Sequence, residues 1–596
     1  MYFGNNKSFK GYRWKVKDCD ERKSLAIYQK YGYSEILSRL LALKDLEIDE
    51  IENFLHPKLH TTLKDPNHLL DMEKGVNVVY NSIINKEKIC IYGDYDVDGV
   101  SSSALMKNFF DLIKVDTIVY IPDRVKEGYG PNIEAFKKIK NENKVDLVIT
   151  VDCGISAFEP CKIAKEIGLK VVITDHHLGS ENIPEADAVI NPNRLDETTD
   201  YKILAGVGVA FLFIISLRRK LRENNYFKQN KIEEPDLMDF LDLVALGTIC
   251  DVMPLIGINR VLVSRGLEVI QLRKNIGLKT LADISNINET INTYHIGYII
   301  GPRINATGRI GNSDIASKLL YLKDPFELKQ IAYNLELLNE ERQILEQKIL
   351  EKAMDEVYNK ELYNDNIIFV LGENWHEGII GIIASRIKDK FDKPTVVLSK
   401  INDSYKASCR SVHGVDLGNC ILEAKLKNLI VEGGGHSMAG GFSLNEDKLD
   451  QLIQFFNDKL QDDIEKYLNN KEIEVDLVLE CKSITTNLAE EIEKLSPFGS
   501  SNHKPKIILK DVVIVKSEIV GKNQNTLRLI VCDTNSVNLN NGIIAMSFKT
   551  TKDDKLYEIL SQKGKKINIL GEININKWQG KITTSFIIED ILMNDK

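Results

Sequence analysis

The sequence predicts an α/β protein with a parallel-sheet domain, a long connector helix, a second α/β domain and a C-terminal β-barrel. Three observations predict it. Between Ile89 and about Ala188, short β-branched runs alternate with helical patterns, as expected for βαβ units. Residues 326–362 form one charged stretch with apolar residues near i, i+3, i+4 and i+7. After about residue 466, short strand-like runs recur with turn signals between them.

The first domain is expected over residues 1–325, as a parallel-sheet body with an N-terminal extension. Its strands are 88–93 (KICIYG), 145–151 (VDLVITV) and 169–174 (LKVVIT). Each is continuously apolar, as in parallel strands buried on both faces. Helices are expected at 101–112 and 160–167. The most apolar stretch, 204–217 (LAGVGVAFLFIISL), has 14 residues. A membrane span needs about 20, and Gly206 and Gly208 suit a close-packed core helix. The connector over 326–362 reads as a solvated helix with one buried stripe. The second α/β domain, 363–465, has strands at 366–371, 394–398 and 405–409 and a helix at 378–388. It closes on EGGGHSMAGG at 432–441. In 466–596, strands at 506–515, 526–533, 542–548, 566–575 and 581–591, with a helix at 487–494, fit an OB-type barrel. A plain β-sandwich is the competing reading.

Composition narrows the function classes. At 596 residues the chain exceeds what one core supports. A 43% hydrophobic, 28% charged balance excludes a disordered, collagen-like or disulfide-stapled chain. Lys and Arg number 78 against 87 Asp and Glu, a net charge of −9. That argues against wholesale coating of nucleic acid but leaves room for a local basic groove. Nine cysteines, odd in number and without a C-x-x-C pair, argue against disulfides or structural zinc. The chain begins without an apolar leader core, so the expected compartment is the cytoplasm.

The chemistry lies at the strand ends. The first strand runs into GDYDVDG, with Asp94, Asp96 and Asp98 at alternate positions; the second into Asp152; the third into Asp175, His176 and His177. Ligands of open α/β sheets bind beyond the carboxyl ends of the strands, so these clusters should share one crevice. Carboxylates so crowded cannot all ionise without counter-charge. A mixed Asp/His set suits two divalent cations, Mn²⁺ or Mg²⁺. Asp251, in GTICDVMPL, reads either as a further ligand or as a helix-terminal residue.

GDYDVDG, PDR…GYG, VDCG and DHH, in this order, resemble the motifs of the DHH phosphoesterase superfamily. FLHPKLHTTLKDP, LAGVGVAF, GTICDVMPL, GPRINATGRIG, WHEGIIGIIASR, ASCRS and GGGHSMAGG narrow the resemblance to its bacterial RecJ-type exonucleases over nearly the whole chain. Departures are small: Val97 stands for a more usual Ala, and Cys250 and Cys409 fill variable positions. The resemblance implies a DHH domain, a DHH-associated domain and an OB-like nucleic-acid-binding domain. It implies a two-metal exonuclease acting 5′→3′ on single-stranded DNA in repair and recombination.

By the same resemblance, Asp94, Asp96, Asp98, Asp152, His176 and Asp251 belong to the metal set, with Asp152 as a bridge. His177 contacts a metal or the scissile phosphate. Asp175 is either the acceptor that fixes the His176 tautomer or a strand cap. Arg124, Arg303, Arg309 and Arg410 with Ser408 are candidate phosphate contacts, since guanidinium matches phosphate bidentately. Gly433, Gly434, Gly435 and His436 offer backbone and imidazole donors to a phosphate or sugar. Phe548, Trp578 and Phe586 read as stacking platforms or as core. Implied partners are single-stranded DNA, a single-strand-binding protein and a RecQ-type helicase. The alternatives are a nanoRNase or cyclic-dinucleotide phosphodiesterase of the same superfamily, or a non-catalytic replication scaffold.

Overall fold

The structure, a computed structural model, describes the chain except residues 125–126, 311–313, 522–523, 535–541, 579–580 and 594–596, and the side chains of 577, 578 and 581. It divides into two compact units, Leu59–Asn469 and Met1–Lys58 with Asn470–Lys596.

The larger unit begins with a five-stranded parallel sheet of β1 (Ile89–Gly93), β2 (Thr117–Tyr120), β3 (Leu147–Val151), β4 (Lys170–Thr174) and β5 (Ala188–Ile190), in the order β2-β1-β3-β4-β5. β1 and β3 are buried at every position, which explains their unbroken apolar runs. Helix α1 (Val97–Leu112) follows β1, and α2 (Gly206–Glu223) and α3 (Leu241–Cys250) pack beside it. The apolar stretch expected as a core helix is α2, buried along most of its length. No helix of the described residues is long and apolar enough to cross a membrane.

α4 (Gly301–Ile310) leads towards α5 (Pro325–Asn359), the expected connector, which Asp324 caps by accepting from Glu327 N. Its buried stripe (Leu328, Ala332, Leu335, Ile349, Ala353, Val357) returns every three or four residues with one wider gap. The gap is polar: Asn339, Arg342 and Glu346 are buried there. The second sheet comprises β6 (Ile368–Glu373), β7 (Thr395–Ile401), β8 (Ser404–Arg410), β9 (Glu432–His436) and β10 (Ala439–Asn445), in the order β9-β10-β8-β7-β6. α6 (Glu377–Phe391) packs on it. The start of the glycine-rich run is the edge strand β9, paired among the described residues with β10 alone. Glycine suits it because a Cβ on Gly433 would lie 2.7 Å from Phe442.

The smaller unit holds the barrel: β11 (Ile507–Val520), β12 (Thr526–Asp533), β13 (Ile543–Phe548), β14 (Lys566–Trp578) and β15 (Lys581–Met593). The β11–β14 pairing closes the sheet, as an OB-type barrel requires and an open sandwich does not. One expectation changes here. Residues 1–58, expected with the 1–325 domain, pack instead with 470–596. Strand Arg13–Val16 pairs in parallel with Glu472–Val475, and Trp14 Nε1 donates to Asp590 Oδ2 at 3.3 Å. Ile27, Leu37, Leu41 and Phe54 share one apolar core with Leu488, Ile507 and Leu527.

Candidate active site

The three strand-end clusters meet, as the topology demands. Asp96 is the N-cap of α1: its Oδ1 accepts from Asp98 N at 2.9 Å and Gly99 N at 3.0 Å. Asp98, buried in the first turn, accepts from Gly206 N at 2.6 Å and Val207 N at 3.0 Å, the start of α2. A carboxylate at a helix N-terminus is favoured by the amide dipoles. Asp152 follows β3 with φ +61°, and Asp251 is the C-cap of α3.

His176 sits at the centre. Its Nε2 lies 3.1 Å from Asp152 Oδ1, 3.6 Å from Asp251 Oδ2 and 3.8 Å from Asp98 Oδ2. Three overlapping sets each bring their ligand atoms within 4.8 Å of one another: Asp94, Asp96 and Asp152; Asp98, His176 and Asp251; Asp152, His176 and His177. Asp152 belongs to two of them.

The residues fit divalent cations on this structure's own terms. Asp94 Oδ1 and Asp152 Oδ1 are buried with no hydrogen-bond partner among the described residues. Buried acceptors without partners carry a full desolvation cost, which a cation removes. Glycines clear the space: a Cβ on Gly206 would fall 2.5 Å from Asp152 Oδ1, and one on Gly247 would fall 2.5 Å from Asp98 Oδ1. An all-oxygen and imidazole donor set suits Mn²⁺ or Mg²⁺.

The electrostatics agree. Burial first, and then Asp96, raise Asp94 well above the carboxylate range and Asp98 to about 7. Burial and the surrounding carboxylates raise Asp152 well above its ordinary value, and Asp251 to about 8. Burial and neighbouring His177 push His176 down to about 4, so it presents a neutral imidazole able to ligate a cation. His177 behaves oppositely. Burial opposes its charge, but the Asp175 hydrogen bond and charge outweigh it and raise the imidazole to about 9.

That contrast bears on the two expected roles of Asp175: it does not hold the His176 ring, but it does cap the strand end, and it holds the ring of His177 as well. Its Oδ1 accepts from His177 Nδ1 at 2.8 Å, not from the His176 ring, and its carboxylate also accepts from the backbone N–H of Ile155, His176 and His177. Burial would raise Asp175, but the His177 hydrogen bond and charge, with the backbone donors, hold it below its ordinary value. It therefore holds the second histidine and shapes the loop of the first.

Three residues escape the sequence reading. Tyr129 places its hydroxyl 3.1 Å from His177 Nδ1 and 3.3 Å from Nε2. Asn191 and Asn193 donate to the backbone carbonyls of His177 (2.9 Å) and His176 (2.6 Å). The only signals are GYG and the NPN directly after β5, both of turn composition.

The expected phosphate contacts divide. Arg309 is half-buried, donates from Nη1 to Gly378 O at 2.7 Å, and has Arg124, Arg342 and Arg410 as charged neighbours. Burial and those cations lower it to about 10. Arg410 donates to Cys409 O at 2.7 Å and lies 3.4 Å from Ser408 Oγ. Arg124 stands 5.2 Å over the Tyr95 ring, within the aspartate loop. Arg342 is paired with Glu346 at 2.7 Å; Arg124, Arg309 and Arg410 remain as like-charged neighbours, an arrangement that favours an anion between them. Arg303 differs. It grips Glu336 through Nε (2.5 Å) and Nη2 (3.0 Å) and donates to Ile299 O, so its fork anchors α4 to α5 rather than facing a phosphate. Gly434, Gly435 and His436 are exposed on edge strand β9, with Gly433 half-buried. In the barrel, Phe586 is core, Phe548 is 55% exposed, and the Trp578 side chain lies outside the described residues.

Known proteins share this order of domains. Residues 88–248 match the DHH family, N-terminal domain, 364–462 the DHHA1 domain, and 475–590 the RecJ OB domain. Among curated relatives, the single-stranded-DNA-specific exonuclease RecJ of Bacillus subtilis is 33% identical, over 98% of this chain and 71% of that protein. The Haemophilus influenzae protein of the same name is 30% identical, over 97% and 99%. Among solved structures, RecJ in complex with Mn²⁺ from Thermus thermophilus superposes with a TM-score of 0.77 at 23% identity, covering 98% of this chain and 80% of that one. A structure of exonuclease RecJ bound to manganese has a TM-score of 0.56 at 28% identity, covering 67% and 98%.

Proposed function

Because the chain belongs to the RecJ family of single-stranded-DNA-specific exonucleases, we propose that its strand-end crevice hydrolyses the terminal phosphodiester of a DNA single strand. It is a metal-dependent exonuclease, and one observation carries the site assignment: the three candidate ligand sets converge, two of them through Asp152 and two through His176. Asp94, Asp96, Asp98, Asp152, His176 and Asp251 would hold two divalent cations. When bound, such a pair supplies positive charge to a phosphodiester and acidifies water for attack.

The chain's own groups do the rest. Asp98 is fixed by the α2 amides, so its carboxylate is oriented before anything binds. His177, charged through Asp175, offers an N–H to a phosphate oxygen or a proton to the leaving alkoxide. Arg309, Arg410 with Ser408, and Arg124 supply charge-assisted donors for the phosphate of the strand end. β9 offers unpaired backbone N–H groups from its open edge. Attack from the 5′ end, a role in repair and recombination, delivery by a single-strand-binding protein and a RecQ-type helicase, and a cytoplasmic setting belong to the same proposal. They rest on family membership.

The test is a strand labelled at its 3′ end, with or without a 5′-phosphate, incubated with Mn²⁺ beside its duplex. A ladder shortening from the 5′ end, on the single strand only, is expected. Shortening from the 3′ end, or equal rates on annealed duplex, would overturn the polarity or the strand preference.

A further inference from the structure

Three exposed apolar side chains stand on the loops that carry or adjoin the candidate metal ligands, and the proposed chemistry does not use them. Leu178 follows His177 directly and is 71% exposed; Val252 follows Asp251 directly and is 69% exposed; Leu195 is 70% exposed. These three are not scattered. Gly179 N donates to Asn193 O at 3.3 Å, which ties the loop of Leu178 to the loop of Leu195. Asn193 also donates to His176 O and to Lys202 O, and Asn259 donates to Ile203 O and Pro254 O. Those bonds run from the histidine loop to the loop carrying Val252, and His176 Nε2 lies 3.6 Å from Asp251 Oδ2, so the same loops also meet at the candidate ligands.

Val252 adds a second observation. Its φ is +57°, a conformation that a β-branched residue adopts only at a cost. Asparagine or glycine would be cheaper at an exposed turn, so a branched aliphatic there needs a reason beyond folding. Exposed aliphatics beside buried carboxylates gain nothing from water. A nucleotide whose phosphate lies at the carboxylates carries its base on the adjoining sugar, just outside the ligand shell, where the residues that follow the ligands stand. Apolar contact with a base face does not distinguish the four bases.

We propose that Leu178, Leu195 and Val252 form an apolar rim that seats the bases flanking the scissile phosphate, whatever their identity. This rests on the DNA-hydrolase reading above. The rim positions substrate; it takes no part in bond breaking.

The test crosses protein variants with base removal. The protein's affinity for a 5′-phosphorylated 12-nucleotide strand is measured by fluorescence anisotropy in Ca²⁺, which takes oxygen ligands, with a gel confirming that the strand stays uncut. The two terminal nucleotides are either natural or abasic tetrahydrofuran. KM and kcat for the same strands are measured with Mn²⁺. Wild type is expected to bind the abasic strand about tenfold more weakly. Val252→Gly, which relieves the backbone strain and so should raise Tm, and the exposed-surface double variant L178S/L195S should bind both strands within twofold of each other. Their kcat on the natural strand should stay within about threefold of wild type. Variants that retain the tenfold preference would overturn the proposal, as would an active wild type indifferent to base removal. A wild type that cleaves no single strand would remove the DNA-hydrolase reading and the rim together.

Discussion

Asp175 and His177 form the ion pair that separates the two adjacent histidines into different chemical species. Asp175 Oδ1 lies 2.8 Å from His177 Nδ1, and His177 rises to about 9 while His176 falls to about 4. One imidazole is thus neutral and able to ligate, and its neighbour is a cation able to donate. Asp175→Asn removes the charge and the preference for the Nδ1–H form. We expect kcat to fall 10–100-fold, the usual cost of losing such an orienting partner. In the metal-free protein, the His177 ring proton signal followed by NMR should titrate near the ordinary histidine range instead of near 9. An unshifted titration would show that Asp175 is only a turn former.

The metal-free protein should become less stable as pH rises. Asp98 and Asp251 have folded-state values of about 7 and about 8, above the unfolded range near 4. Between these limits the folded state holds more protons than the unfolded state, so the free energy of unfolding falls with pH. The loss begins near pH 4 and is complete above about pH 8. Cations displace those protons, so Mn²⁺ should raise Tm more at pH 8 than at pH 6. Calorimetry in EDTA and in Mn²⁺ across pH 5–8.5 checks both signs. A metal-free Tm that climbs over this range would contradict the crowding.

Asp152→Ala and Gly247→Ala attack the same centre from opposite sides. The first removes the carboxylate shared by two ligand sets, while the second drives a Cβ to 2.5 Å from Asp98 Oδ1. Both should reduce hydrolysis below about 1% of wild type and shrink the Mn²⁺-induced rise in Tm. They should differ without metal: Asp152→Ala relieves repulsion and should melt at or above wild type, whereas overpacking at Gly247 should cost about 1–3 kcal/mol. Near-normal turnover of Asp152→Ala at saturating Mn²⁺ would remove Asp152 from the bridging position.

Burial pattern explains which elements can be read from sequence. Interior parallel strands carry unbroken apolar cores, so 88–93 predicts Ile89–Gly93 and 169–174 predicts Lys170–Thr174 within a residue. The sheet's two edge strands, Thr117–Tyr120 (TIVY) and Ala188–Ile190 (AVI), are only four and three residues long, too short for the run to mark a strand by itself. The site follows the same logic. Aspartates anchored by their own strand and turn are legible, because topology alone sends them to one crevice. Pairings set by distant packing are not: Arg303 meets Glu336 across 33 positions. Neither does spacing tell which of two adjacent histidines Asp175 will hold.

The last prediction concerns where the chain can be cut. Every proposed ligand and phosphate contact lies within Leu59–Asn469, and the barrel lies outside it. Ending the chain at Asn469 alone would leave residues 1–58 without their core, exposing Ile27, Leu37, Leu41 and Phe54. Such a truncation should aggregate, because its bared apolar surface has no partner. The fragment 59–469 removes both halves of that unit and should stay monodisperse. It should cleave very short oligonucleotides with KM near that of the full chain. On long strands it should lose the barrel's contribution. Base stacking on such a surface is worth ~1–3 kcal/mol per base, so losing one or two bases raises KM about tenfold or more at ~1.4 kcal/mol per decade. Phe548, exposed on the barrel, is the described aromatic available for that contact, and Phe548→Ala in the full chain should reproduce part of the loss. The measurement is KM against oligonucleotide length for full chain, fragment and Phe548→Ala at one fixed salt concentration, since phosphate contacts are salt-sensitive. If the full chain and fragment gave superimposable length profiles, the barrel would not be part of the DNA track, and its closed fold would be serving some other binding partner.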